Sequence, residues 1–398
     1  ASPVSIRYAT DSARAASDLL GLWMPGLRPS AARPPAARAT TPRRPVDRER
    51  ESGSDARPFS PAGMIPMPQS PSQPPRIVVV PPTFAETQEL ARTLAPQGFE
   101  LVVAPNEVDA LHAALATAEY LVCFPNVKTG DALFRAAPKL KLLQLLSAGY
   151  DDIDIEAARR AGVPVSNNGG ANAISVAEHA LMLMLTVSRR VVWQHEQVSA
   201  GRWRGNGPAP RMYEIFDKTL GIVGLGTIGK KVARLARAFG MRVQYYDIAR
   251  LTEDAEDALG VRFRLLGELL ATSDIVTLHV PLNASTRHMI GEVQLAMMKG
   301  EAIVINTSRG PVIDEVALTR ALADNRLFGA GLDVFDEEPP PPDNPLFKLR
   351  NVVLTAHFAG PTWDNQIARL RNAYDNVQRV ARGEDPLWVV PELADLLR

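Results

Sequence analysis

Three glycines at fixed spacing constrain the fold of this chain more than any other feature. Gly224, Gly226 and Gly229 stand between a compact apolar segment, Thr219–Val223, and a segment with helical periodicity, Thr227–Phe239. The apolar segment predicts a buried strand. A glycine-rich turn that joins a buried strand to a helix is typical of a parallel sheet covered by helices. We therefore expect a doubly wound α/β domain around this turn.

The same turn predicts a binding site for a dinucleotide. Gly224 permits the tight turn, the absent side chain of Gly226 lets a pyrophosphate approach the backbone, and Gly229 allows the helix to pack closely on the strand. The free N–H groups and the positive end of the helix dipole would then bind the phosphates. We count Thr227 and Ile228, the first residues of the helix, among the cofactor-binding residues.

An acidic residue after the next predicted strand indicates which dinucleotide is bound. Asp247 follows Arg242–Tyr246, close to the place where an acid meets the hydroxyls of the adenosine ribose. A carboxylate there would repel a 2′-phosphate, which favours NAD(H) over NADP(H). Arg250 argues the other way, since its side chain could turn toward a 2′-phosphate.

Strands and helices also alternate upstream of this unit, beginning at Arg76. This alternation predicts a second parallel sheet with helices on both faces. Long helical patterns at Ser175–Arg190 and Pro361–Ala381 lie at the two crossings between the units. The predicted strands of the upstream unit are Ile77–Val80, Leu101–Val103, Tyr120–Phe124, Leu140–Leu146 and Val163–Val165.

The first 75 residues differ from the rest of the chain. They hold 14 of the 33 prolines and no lysine, and Arg28–Arg50 shows no sustained apolar period. Such a segment cannot bury enough surface to offset its ordering entropy, so we expect residues 1–75 to be a disordered extension. Three interpretations are open for this segment. It is an organelle transit peptide, it is a flexible tail, or the natural start of the chain lies further downstream, near Met64. The last two interpretations are favoured, because transit peptides are poor in acidic residues and four acidic residues precede residue 50 here.

Charge and cysteine content exclude several classes of protein. Basic and acidic residues both number 44, which argues against a nucleic-acid-binding protein. The single cysteine, Cys123, excludes an internal disulfide framework and multi-cysteine metal sites, and we expect no bound metal. The longest strongly apolar stretch, Ala180–Val187, is far shorter than the roughly 20 residues that cross a bilayer. We expect a cytoplasmic protein without a membrane partner.

Three reactive side chains lie near the ends of later predicted strands. Arg309 lies in Asn306–Gly310, Glu338 lies in Gly331–Pro339, and His357 follows a short apolar strand. The carboxyl ends of parallel strands meet at one edge of the sheet, so we expect the three to converge. A guanidinium binds carboxylates through two bonds, and an imidazole transfers protons near neutral pH. A neighbouring carboxylate raises the pKa of that imidazole.

These motifs together resemble the D-isomer-specific 2-hydroxyacid dehydrogenase family. The resemblance rests on Gly224–Gly229, Asn306–Gly310, Gly331–Pro339 and His357, and it extends over Arg76–Leu393. It implies an NAD-dependent oxidoreductase that interconverts a D-2-hydroxy acid and its 2-oxo acid by hydride transfer. In that family a small hydroxy or oxo acid is the substrate, and two copies of the chain commonly pair through their cofactor domains.

The resemblance also assigns roles to individual residues. Arg309 binds the substrate, Glu338 raises the pKa of the histidine, and His357 donates or accepts the proton. The residues that it places at the nicotinamide are Val280, Thr307 and Asp333. The residues whose backbone N–H groups it turns toward the substrate carboxylate are Ser147, Ala148 and Gly149. This loop is physically reasonable, because a glycine permits an unusual backbone and successive amides form an anion nest.

The family architecture implies a split substrate domain. Residues 76–174 and 360–398 form this flavodoxin-like domain, and residues 175–359 form the NAD-binding Rossmann domain with a hinge helix. Glu338 stands where formate dehydrogenases have glutamine, and Ala148 stands where phosphite dehydrogenases have lysine, so neither substrate is expected. NAD(H)-sensing co-repressors share this fold, but the sequence has no basic patch that favours them. The histidines left as structural or surface residues are His112, His179, His195, His279 and His288.

Overall fold

The computed structural model describes residues 73–81 and 85–397. The predicted disordered extension therefore lies outside the described residues, except for its last three positions. No helix in the described part of the chain is both long enough and apolar enough to cross a membrane.

The first sheet has five parallel strands in the order β2-β1-β3-β4-β5. This order is that of flavodoxin-like domains. The strands are β1 Arg76–Val79, β2 Glu100–Val103, β3 Tyr120–Cys123, β4 Leu142–Leu145 and β5 Val165–Ser166. The helices between them are α1 Ala85–Thr93, α2 Val108–Leu115, α3 Asp131–Ala136 and α4 Ile155–Ala161.

Both faces of this sheet are buried, as the apolar runs predict. Ile77 and Val79 of β1 join one apolar core, whereas Val78 and the residue that follows the strand, Val80, join the core on the opposite face. Side chains alternate between the faces of a strand, so a strand without polar alternation must be covered on both sides.

The second sheet has seven parallel strands in the order β12-β11-β10-β9-β6-β7-β8. Its order is the Rossmann order with one further strand. The strands are β6 Thr219–Val223, β7 Arg242–Tyr246, β8 Val261–Phe263, β9 Ile275–Leu278, β10 Ile303–Asn306, β11 Gly329–Leu332 and β12 Val352–Leu354. The helices of this part of the chain are α5 Ala173–Ser188, α6 Val191–Ser199, α7 Thr227–Ala238, α8 Glu253–Leu259, α9 Leu266–Thr272, α10 Glu292–Met297 and α11 Glu315–Ala323.

The last long helix, α12 (Trp363–Ala381), returns to the first sheet. Leu370, Tyr374 and Val377 recur at helical spacing and are buried in the same core as the β1 side chains. Each such burial contributes about 1.5–3 kcal/mol. The Tyr374 hydroxyl also donates a hydrogen bond of 2.8 Å to the carbonyl of Ala91.

The predicted fold class of two doubly wound parallel-sheet domains is confirmed. The sequence analysis did not predict β8, a three-residue strand at the edge of the second sheet. Too few residues alternate there to give a periodic signal. The residue boundaries between the two domains stay a prediction, which the return of α12 to the first sheet supports.

Candidate active site

The glycine turn lies where the strand order of the second sheet reverses. It joins β6, the strand between β7 and β9, to the start of α7. Gly224 has a φ of +94°, and a Cβ there would lie 2.8 Å from the carbonyl group of His279. At Gly226 a Cβ would meet open space, and no side chain caps the helix that begins there. The first N–H groups of α7 therefore face an open cradle, which fits a pyrophosphate.

The carboxylate of Asp247 is tied to this turn. Its Oδ2 accepts a hydrogen bond of 2.7 Å from the N–H of Leu225, and its Oδ1 accepts one of 2.9 Å from the N–H of Ala249. Arg250 is held elsewhere, because its Nε lies 3.2 Å from Oε1 of Glu256. The acid thus stands beside the cradle, whereas the arginine that could attract a 2′-phosphate already has a carboxylate partner.

Two further residues predicted at the nicotinamide lie near the same edge of the sheet. Thr307 directly follows β10, is buried, and its Oγ1 has no hydrogen-bond partner among the described residues. Val280 follows β9, and its side chain lies close to the backbone of Gly224. An unpaired buried hydroxyl is costly, so Thr307 fits a polar group of a bound cofactor.

His357 and Glu338 form a hydrogen-bonded pair. The Nδ1 of His357 lies 2.7 Å from Oε2 of Glu338, and the N–H of Phe335 donates a 3.1 Å hydrogen bond to Oε1 of the glutamate. This hydrogen bond to Glu338 raises the pKa of His357, although partial burial opposes it. Burial acts to raise the pKa of Glu338, but the net shift is downward. The hydrogen bond to His357 is the largest contribution that lowers this pKa. Among the described residues no group binds Nε2 of His357, which leaves that nitrogen for a substrate.

Arg309 extends from the second sheet to the loop that follows β4. Its Nε and Nη2 donate to Oδ2 of Asp151 at 2.8 and 2.7 Å, and its Nη1 donates to the carbonyl of Ser308 at 2.8 Å. Its positive charge opposes the rise in the pKa of His357 and adds to the lowering of the pKa of Glu338, so the three predicted catalytic residues lie within electrostatic range of one another. The sequence analysis missed Asp151.

The loop Ser147–Gly149 lies against this guanidinium. The Ser147 hydroxyl donates to the carbonyl of Gly149 at 2.6 Å, and Nδ2 of Asn167 donates to the carbonyl of Ala148 at 3.2 Å. The φ of Gly149 is not left-handed, and the expectation that this glycine permits an unusual backbone stays a prediction. A Cβ at Gly149 would overlap the Arg309 guanidinium, so any side chain there would have to displace that guanidinium from its present position.

Asp333 holds the loop that carries His357. The buried carboxylate accepts hydrogen bonds from the Thr355 hydroxyl at 2.5 Å and from the N–H groups of Phe358 and Ala359 at 2.9 Å. The backbone carbonyl of Asp333 accepts from the N–H of His357 at 2.8 Å. His357 has a φ of +55°, which an L side chain rarely adopts. The predicted contact between Asp333 and the nicotinamide amide stays a prediction.

His179 on α5 adds a contact that the sequence analysis did not anticipate. Its Nε2 lies 2.9 Å from Oγ1 of Thr355 and 3.5 Å from Oδ1 of Asp333. Burial lowers the pKa of His179, so the neutral ring predominates at neutral pH. Helix α5 is thereby connected to the loop that carries His357.

No group of three or more His, Cys, Asp or Glu side chains that could hold a metal ion occurs within residues 73–81 and 85–397.

The chain is similar in sequence and in fold to known proteins. A family model described as "D-isomer specific 2-hydroxyacid dehydrogenase, NAD binding domain" matches residues 181–359. A glyoxylate reductase of Korarchaeum cryptofilum is 45% identical over 256 residues, which cover 64% of this chain and 77% of that protein.

Solved structures give the same result. A glyoxylate reductase from Paecilomyes thermophila superposes with a TM-score of 0.70 at 31% identity, covering 81% of this chain and 99% of that one. An NADPH-dependent glyoxylate/hydroxypyruvate reductase from Sinorhizobium meliloti, in complex with NADP and malonate, gives 0.70 at 27% identity, covering 81% and 98%. Together with the site geometry, these similarities show that the chain belongs to the D-isomer-specific 2-hydroxyacid dehydrogenase family.

Proposed function

We propose that this chain reduces small 2-oxo acids to D-2-hydroxy acids with NADH, and catalyses the reverse reaction. The observation that carries the proposal is the His357–Glu338 pair beside Arg309. Reduction of a 2-oxo acid requires two groups. One is a guanidinium that binds the carboxylate, and the other is an imidazole that transfers a proton.

Each part of the site has a task in this reaction. The glycine turn and the start of α7 would hold the pyrophosphate of a dinucleotide, and the bound dinucleotide would supply the hydride that the carbonyl carbon accepts. Arg309 and the amides of Ser147–Gly149 bind the substrate carboxylate and orient the carbonyl group. His357 donates its Nε2 proton to the carbonyl oxygen. One hydride and one proton thus convert the oxo acid to the hydroxy acid, and the histidine regains its proton from solvent.

Glyoxylate is the first substrate to test, because two of the similar proteins above are named glyoxylate reductases. NADH oxidation is measured with glyoxylate, hydroxypyruvate, pyruvate and phenylpyruvate, and the configuration of the chiral products is determined. We expect turnover with glyoxylate and D products from the larger acids. The absence of turnover with all four acids and both NADH and NADPH would refute the reaction.

The cofactor preference is a separate part of the proposal. Asp247 beside the cradle and the pairing of Arg250 with Glu256 support NADH. The same assay gives kcat/KM for NADH and for NADPH, and we expect NADH to give the larger value. A larger value for NADPH would contradict this assignment without affecting the proposed reaction.

Replacing Glu338 with glutamine is expected to shift the pH profile of the reduction to lower pH. A neutral amide does not stabilise the imidazolium, so the raised pKa of His357 falls toward its ordinary value. Reduction needs the protonated ring, so its kcat/KM will decline at a lower pH than in the wild type. Oxidation needs the neutral ring and will rise from a lower pH. Both profiles are measured by steady-state kinetics.

The exposed neighbour of this glutamate provides a control. Glu337→Gln removes the same charge one residue away, and its profile should match that of the wild type. If the two variants give identical profiles, Glu338 does not set the pKa of the proton donor.

We also propose that two copies of the chain form a homodimer in the cytoplasm. Large apolar side chains are exposed on α5, on α6 and on the turn that follows, and such surfaces usually mark interfaces. These side chains are Ile174, Met182, Val191, Val192, Val198 and Trp203. Sedimentation velocity should give twice the mass of one chain, and a monomer would exclude the pairing.

A further inference from the structure

One buried arginine of α12 has no negatively charged partner in the part of the chain that the structure describes. The side chain of Arg369 is 5% exposed, and no carboxylate of the described residues forms an ion pair with it. Its Cζ lies 5.1 Å from the ring centre of Phe124, its Nη2 lies 3.5 Å from the carbonyl of Gly360, and its Nε has no partner. Burial lowers its pKa to about 10, so it stays charged at neutral pH. A buried charge without a partner is costly unless it serves a ligand.

The contacts of Arg369 place it between the two sheets. Phe124 directly follows β3, at the carboxyl edge of the first sheet. Gly360 lies three residues after His357, at the carboxyl edge of the second sheet. A guanidinium that reaches both residues lies where the two edges face each other, and ligands of open α/β sheets bind at these edges.

Other polar groups near Arg369 also lack partners. Oε1 of Gln366 is buried without a hydrogen bond, and the side-chain amide of this residue bonds to no other described residue. Oδ1 of Asn365 and Oδ1 of Asn172 are also buried, and neither has a hydrogen-bond partner within residues 73–81 and 85–397. The side chain of Asn172 packs against Gly360, and the Nδ2 of Asn365 donates to the Gly360 carbonyl at 2.6 Å. Folded proteins rarely leave several such atoms together, which indicates a polar site that a ligand or water completes.

We propose that Arg369, assisted by the amide of Gln366, binds a second acid group on the side chain of the substrate. This inference rests on the proposed function, in which Arg309 binds the first carboxylate. Arg309 is already paired with Asp151, whereas Arg369 has no carboxylate partner among the described residues, and the second acid group of a dianion would supply one. The preferred substrates are then 2-oxo acids with a carboxylate or a phosphate ester on C3.

The kinetic test compares acids that differ only at C3. Pyruvate carries hydrogen there, oxaloacetate carries a carboxylate, and 3-phosphohydroxypyruvate carries a phosphate ester. We expect the wild type to prefer one of the dianions, and the preferred acid identifies the group. Arg369→Met should lower the ratio of kcat/KM for that dianion to kcat/KM for pyruvate at least about tenfold, with pyruvate changed less than about threefold.

Two variants separate this effect from a structural one. Arg371→Met removes the same charge from an exposed position of the same helix and should leave the ratio unchanged. Arg369→Lys keeps the charge without the planar fork and should give an intermediate ratio. An unchanged ratio in Arg369→Met, or an equal loss with every substrate, would overturn the proposal.

A binding experiment distinguishes failure of the site from failure of the reaction. Succinate and propionate match oxaloacetate and pyruvate but lack the carbonyl group, so neither reacts. Calorimetry on the NADH complex should show tighter binding of succinate by the wild type and no preference in Arg369→Met. If no oxo acid is reduced but this preference for succinate is present, the proposed reaction is refuted and the proposed anion site at Arg369 is supported. If oxo acids are reduced and Arg369→Met keeps the preference, the site is wrong.

Discussion

Replacing His357 with asparagine is expected to lower kcat for 2-oxo acid reduction about 10²- to 10⁴-fold, the usual contribution of a positioned acid or base. Asparagine has no titratable proton that it could transfer at neutral pH. It also tolerates the left-handed backbone of this position, where φ is +55°, so the fold should survive. Steady-state kinetics give kcat, and a fluorescence titration gives the affinity for NADH, which should change less than about threefold.

His288 offers a matched control, because it is an exposed histidine with a φ of +51°. His288→Asn makes the same substitution on the same backbone conformation and should keep full activity. Turnover of His357→Asn within tenfold of the wild type would show that another group donates the proton.

Replacing Arg309 with methionine is expected to lower kcat/KM for glyoxylate about 10²- to 10³-fold, because a charged pair at the substrate carboxylate is lost. The KM should carry much of this loss, since the carboxylate is bound in the ground state as well as in the transition state. Arg309→Lys keeps a charge but not the fork, so its loss should be smaller. Initial rates over a wide range of glyoxylate concentrations separate the two constants.

The ion pair with Asp151 requires its own control, because Arg309→Met leaves that carboxylate without its partner. In the double variant with Asp151→Asn, the repulsion between Asp151 and the substrate is removed. If Arg309 binds the substrate directly, the double variant stays impaired. Recovery of most of the activity would show that Arg309 acts mainly by neutralising Asp151.

The sequence predicted those parts of the structure that depend on local patterns. The glycine turn and the strands beside it lie in one short segment. Each of the three catalytic candidates lies in a short segment near the end of a predicted strand, and the order of these segments along the chain determines the edge of the sheet that the candidates reach. The pairing of His357 with Glu338 followed from that order together with the chemistry of the two side chains.

The parts that were missed depend on segments that are distant in sequence. Asp151 and Arg309 are 158 residues apart, and His179 and Thr355 are 176 residues apart. No periodic pattern links such positions, and an acid or a histidine on its own is usually a surface or core residue. Sequence patterns also could not predict that Arg369 lacks a negatively charged partner among the described residues, because this property depends on which side chains surround it in the folded chain.

The left-handed backbone at His357 has a consequence for engineering this chain. That conformation costs a histidine roughly 1–2 kcal/mol relative to a residue that adopts it freely, and the hydrogen bonds to Asp333 maintain it. Glycine or asparagine at this position would therefore relax the loop. A library selected only for resistance to heat would enrich such substitutions and accumulate well-folded but inactive variants. Thermostabilisation should keep residues 355–359 fixed, or include turnover in the selection.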